Sequence, residues 1–226
     1  MLSPACFARV LSAILALVCL PAGMRAQSAP TRPNAGETIV MIRHGEKPDG
    51  GLGQLNCKGL NRALALPSLL IGRYGRPDFI YAPDPAERVD DRGAGPGYSY
   101  VRPLATIEPT AIQLGMPVNA QIGFTQIDVL EKALLQPAYA HALIFVAWEH
   151  ELMRDFAAQL LETYGAGAAK LPDWPNSDYE TIYVFHVTWP DNGGKPHLTL
   201  EIQKEGLTAA LKDTCPASSS FTTTSK

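Results

Sequence analysis

The chain has 226 residues, a formal net charge of −3, 46% apolar residues and 18% charged ones. A chain of that length can form one sizeable core that buries roughly 70% of the unfolded surface, and the composition excludes wholesale disorder. Its mild acidity argues against general affinity for nucleic acid.

Residues 1–26 read as a cleaved signal peptide. Met1 to Ala8 holds no acid, Arg9 supplies a positive charge, Val10 to Leu20 is apolar but too short to span a bilayer, and small residues lead to Ala26. The expected location is periplasmic or secreted, with no membrane association after cleavage. The mature chain would keep 17 basic and 22 acidic residues, a net charge of −5. Cys6 and Cys19 would leave with the signal. Cys57 and Cys215 would remain in an oxidising setting, where a disulfide between them can form but is not fixed by sequence. Residues 27–36 form a Pro-rich flexible leader, 37–216 the domain, and 217–226 a Ser/Thr-rich disordered tail.

A strand is expected at 37–42, running straight into Arg43-His44-Gly45-Glu46. The glycine-rich loop after it, 49–53, fits neither nucleotide motif: Asn56 stands where a dinucleotide fingerprint needs glycine, and the P-loop Gly-Lys-Ser/Thr is missing. Leucines and alanines at helical spacing predict a helix over 56–74, interrupted at Pro67-Ser68. A short strand at 77–82 precedes a charged, glycine-rich stretch, 84–97, read as an insertion or lid. Next come a helix at 105–114 opened by Pro103 and perturbed by Pro109, a short strand at 116–118 and a helix at 127–135. The wholly apolar run 142–147 is the pattern of a strand covered on both faces, and 152–164 is an amphipathic helix stopped by Gly165. Strands at 181–189 and 196–203 flank Asp191-Asn192-Gly193-Gly194, a hairpin signal. The fold class expected is a three-layer α/β/α sandwich, its central sheet mainly parallel, with an antiparallel C-terminal hairpin.

Reactive side chains gather at predicted strand ends: Arg43 and His44 after the first, His150 after the buried one, with Arg102 at the end of the returning stretch 98–102. A neutral imidazole is a competent nucleophile near pH 7, and planar guanidinium groups match the oxygens of a phosphoryl group in flight. His44 is the candidate nucleophile, with a backbone carbonyl near Gly45 to accept its one ring N–H and leave the other nitrogen's lone pair free. Arg43, Arg102 and His150 are the candidate phosphate ligands. Lys47 is a weaker one, and Lys58 and Arg62 read as a solvated helix face. The His150-Glu151 pair begins like a zinc-protease helix, but Arg154 stands where the second histidine must be.

Arg43-His44-Gly45-Glu46 after a strand, Arg102 with Thr106 four residues later, and His150 at a strand end, in that order, resemble the histidine phosphatase superfamily with its phosphoglycerate mutase-like fold. The resemblance implies phosphomonoester hydrolysis through a phosphohistidine at His44, a small-molecule phosphate ester as partner, no cofactor and no metal. It also implies a carboxyl that protonates the leaving group. In the acid phosphatase branch that acid follows the second histidine, which points to Glu151, with Glu149 and Glu46 as rivals. Lys47 departs from that branch, which often carries arginine there. A phosphomutase, or a non-catalytic phosphate- or glycan-binding protein on the same fold, would use the same residues. Substrate identity and oligomeric state are not legible in the sequence.

Overall fold

The computed structural model describes residues 36–90, 97–165 and 171–217. The signal-like segment, most of the leader, part of the lid and nearly all of the tail lie outside the described residues. The first strand, β1 (Glu37–Arg43), is followed by α1 (Cys57–Tyr74) and β2 (Phe79–Pro83). A two-residue pair joins β3 (Arg88–Val89), inside the stretch expected as an insertion or lid, to β4 (Tyr98–Ser99) just after it. Then come α2 (Arg102–Leu114), β5 (Asn119–Ile122), α3 (Ile127–Leu134), a 3-10 turn, β6 (Leu143–Trp148), α4 (His150–Tyr164), β7 (Thr181–Thr188) and β8 (His197–Lys204).

Six strands form one sheet in the order β5-β2-β6-β1-β7-β8. The first four are parallel, β7 runs antiparallel to β1, and β8 runs antiparallel to β7. Alternation along β1 divides the core in two. Ile39 and Met41 face Leu130, Leu134, Met153 and Phe156 of α3 and α4. Val40 and Ile42 face Leu66, Leu70, Ile107 and Ala111 of α1 and α2. The three layers follow from that division, and β6, buried at every position, lies between them.

Three sequence expectations are corrected. Neither Pro67 nor Pro109 breaks its helix. Each proline lacks a donor N–H and costs about 3 kcal/mol inside a helix, but buried residues on both sides (Leu66 and Leu70; Ile107 and Ala111) hold the chain in register against the sheet. The short strand expected at 116–118 lies instead at Asn119–Ile122, an edge position whose alternation of exposed and half-buried residues gives it no apolar run.

Pairing between β1 and β6 fixes the site. The register runs from Thr38 opposite Leu143 to Arg43 opposite Trp148. The His44 N–H continues it by donating to the Trp148 carbonyl at 3.0 Å. The residues just past the two strands therefore emerge side by side at their C-terminal ends, where open α/β sheets bind ligands.

Candidate active site

Arg43, His44, Arg102 and His150, brought together from four points in the sequence, line one cleft of about 800 Å³. Each is between 1% and 3% exposed. Two of them open helices: Arg102 is the first residue of α2 and His150 the first of α4. The positive ends of both helix dipoles therefore add to the side-chain cations.

His44 is held as a particular tautomer. Burial, with Arg102 and Arg43 nearby, pushes its pKa well below the usual histidine range, so the ring is neutral. Its Nδ1 lies 2.7 Å from the Gly45 carbonyl, which can only accept, so Nδ1 carries the proton and Nε2 keeps its lone pair. The loop is fixed from behind by Thr106, whose hydroxyl accepts from the Gly45 N–H at 2.9 Å and donates to the Arg102 carbonyl at 2.8 Å. The arginine and the threonine four residues later are one device, since the hydroxyl ties the nucleophile's loop to the turn of α2 that carries Arg102. Gly45 itself is required by space. A Cβ there would stand 2.9 Å from the Gly59 carbonyl oxygen and 3.0 Å from its Cα, where α1 crosses the loop.

Arg43 is gripped by backbone. Its Nη1 donates to the carbonyls of Asn176 (2.9 Å) and Asp178 (2.8 Å), and its guanidinium lies 3.9 Å from the centre of the Tyr179 ring. The Asp178 side chain accepts from Thr181 Oγ1 at 2.7 Å and Lys204 Nζ at 2.6 Å, so the segment cannot slide. Arg43 Nε remains buried without a hydrogen-bond partner among the described residues. Arg102 lies 4.7 Å from the centre of the Tyr100 ring, whose edge also meets His44. His150 Nδ1 stands 2.6 Å from Glu149 Oε1, while its Nε2 is buried with no partner among the described residues.

The carboxyl groups differ. Glu149 lines the cleft and caps α4, its Oε2 accepting from the Leu152 N–H at 2.8 Å. Burial would raise its pKa, but His150 and the backbone amides outweigh that and hold it at about 2. Glu151 also lines the cleft and is exposed. Glu46 lies outside the cleft, with both oxygens accepting from Arg62, at 3.0 and 2.7 Å. Lys47 lines the cleft from an exposed position.

Arg62 is not on a solvated face. It is fully buried, bound to Glu46, Glu205 and the Thr208 hydroxyl, and 3.8 Å from Glu180. Lys58 reaches Asp213 at 3.6 Å. Cys57, at the start of α1, and Cys215 are joined as a disulfide. Sequence reasoning misses Tyr100, Tyr179 and the carbonyls of 175–178. The two tyrosines carry no motif, and a backbone carbonyl has no sequence signature.

No family model and no curated protein matches the chain. Solved structures that resemble it include a proposed phosphohistidine phosphatase SixA from Nakamurella multipartitia (17% identity, 76% of this chain and 98% of that one, TM-score 0.46). A second proposed SixA, from Agrobacterium tumefaciens, is 15% identical over 74% of this chain and 97% of that one (TM-score 0.42). A mycobacterial glucosyl-3-phosphoglycerate phosphatase complexed with VO3 is 14% identical over 74% and 98% (TM-score 0.44). At these identities and scores the matches leave the chemistry to be argued from the cleft.

Proposed function

We propose that the chain is an exported, metal-independent histidine phosphatase that hydrolyses small phosphomonoesters through a phosphohistidine at His44. The observation that carries this reading is the neutral His44 ring, its Nδ1 proton committed to Gly45, set among buried cations. A lone pair on Nε2 beside two guanidinium groups is what attack on an anionic phosphorus requires. Arg43 Nε and His150 Nε2, unpartnered among the described residues, supply donors for phosphoryl oxygens. Export is supported by the Cys57–Cys215 bond, which persists in oxidising compartments.

In this reading the N–P bond at His44 forms as the bond to the leaving oxygen breaks, and that oxygen takes a proton from Glu151. Glu151 then accepts a proton from water, whose oxygen attacks phosphorus and releases the neutral ring with inorganic phosphate. Glu149 is the less apt donor because both its oxygens are engaged and it is held ionised. Its part is to fix the His150 ring so that Nε2 faces the phosphate. Cations of the chain itself supply the charge that metal ions provide in other phosphoryl-transfer enzymes.

The test is phosphate release from an aryl phosphate in the presence of a chelator, with acid-labile phosphate trapped on the protein. Loss of both in His44→Ala supports the reading, and full activity in that variant overturns it. Glu151→Gln should slow esters with poor leaving groups far more than aryl esters, and the reverse ranking in Glu149→Gln would move the acid role there. Phosphate binding without release in the intact protein would favour a non-catalytic binding protein. Transfer to an added alcohol in preference to water would favour a mutase.

A further inference from the structure

The inner end of the cleft and its mouth carry opposite charge. Around the mouth stand Asp49 in the loop after β1, Asp90 after β3 and Asp155 on α4, against a single cation among the described residues, Lys47. All three acids are exposed, and among the described residues none is ion-paired to a lysine or arginine. Glu151 is left out because it carries the proton it donates, and Glu149 because it is half-buried against His150 Nδ1 at 2.6 Å. A phosphate seated against His150 Nε2 and the arginines directs its ester substituent outward, since the phosphoryl end is enclosed by the side chains that recognise it. The substituent therefore meets a field of net negative charge drawn from three separate segments. Charges of one sign lining a cleft act together on what enters it.

We propose that the mouth selects the leaving group by charge: the preferred esters are aminoalkyl phosphates, in which an alkylammonium follows the phosphate, and esters with a second phosphate or a carboxylate are disfavoured. This rests on the phosphatase reading for turnover but not for binding. The bond changes are those already described, and the products are the amino alcohol and inorganic phosphate.

Three two-carbon esters of similar size separate charge from shape: O-phosphoethanolamine, ethyl phosphate and 2-phosphoglycolate. Phosphate release gives kcat/KM on the intact protein, and calorimetry on His44→Ala gives dissociation constants without turnover. The expected order is ammonium, neutral, carboxylate, spanning about 10-fold at low ionic strength and shrinking to about 2-fold at 0.5 M salt, as exposed charges are screened. The double variant Asp49→Asn, Asp155→Asn should narrow the span in both measurements. A flat or inverted order in the binding data overturns the charge selection. If the order holds in binding while none of the esters is hydrolysed, the selection stands and the phosphatase reading falls.

Discussion

Two buried arginine clusters flank the loop after β1, and they treat charge in opposite ways. On the cleft side Arg43 is held by backbone carbonyls and the Tyr179 ring beside neutral His44, with Glu149 and Asp178 acting on it through space rather than in an ion pair among the described residues. Beneath the loop Arg62 meets Glu46, Glu205 and Glu180, and those carboxylates keep its guanidinium charged despite burial. A buried charge matched within the protein is part of the architecture. One held mainly by dipoles and a ring face, as Arg43 is, gains its close ionic match when an anion arrives, and its burial is the mark of a binding site.

The contrast is broken most severely at the nucleophile. His44→Ala should lower kcat by about 10⁴-fold or more while the melting temperature stays nearly unchanged, because the neutral ring leaves no charge stranded. Arg102→Ala should cost about 10²- to 10³-fold in kcat/KM for an aryl phosphate while the variant still folds. If that variant unfolds, the cleft arginine is structural after all. Arg62→Ala should do the reverse and lose about 3–5 kcal/mol in urea denaturation, since it strands Glu46 and Glu205 in the interior. Wild-type stability in that variant would show that the balanced cluster contributes nothing.

Two titrations sharpen the comparison by smaller amounts. The unfolded chain protonates His44 near its ordinary value while the folded chain resists, so the stability tied to His44 is complete above that value and falls as pH drops through it. Long-range ¹H–¹⁵N NMR should find the ring still neutral at pH 5.5, with the proton on Nδ1, and an imidazolium there would contradict the described cage. Glu37, at the far end of β1, is buried, and among the described residues only the Trp189 indole donates to its carboxyl, at 2.8 Å; burial raises its pKa to about 8. The folded state therefore holds a proton that the unfolded state loses near 4.5, and this contribution fades as pH rises through about 8. Glu37→Gln should accordingly be more stable than wild type at pH 9, by about 1 kcal/mol, and equal to it at pH 4. No gain at pH 9 would mean that the carboxyl reaches water.

The cleft is more legible in the sequence than the cluster beneath it. Apolar runs mark β1 and β6 because both are covered on two faces, and the residues just past such a run lie at the sheet edge, where chemistry collects. Arg43, His44 and His150 are found that way. Arg62 escapes any reading that weighs charge above spacing. Gly59, Arg62, Leu66 and Leu70 lie three or four apart, and that buried stripe places Arg62 among core positions despite its charge. Its partner Glu205 is 143 residues away, a separation no local pattern can bridge. β5 sits further along than expected because an edge strand that alternates weakly gives little periodicity to read. The two prolines mislead for a related reason: propensity is local, and packing against the sheet decides the helices.

The bond between Cys57 and Cys215 spans 158 residues of sequence and so turns nearly the whole domain into a covalent ring. Such a closure removes conformations from the unfolded chain, worth on the order of 2–5 kcal/mol. It also changes what a protease can achieve. A single cut anywhere between the two cysteines yields pieces that stay attached and migrate together until a reductant separates them. A chain nicked between those cysteines would therefore keep both halves of its cleft until it is reduced.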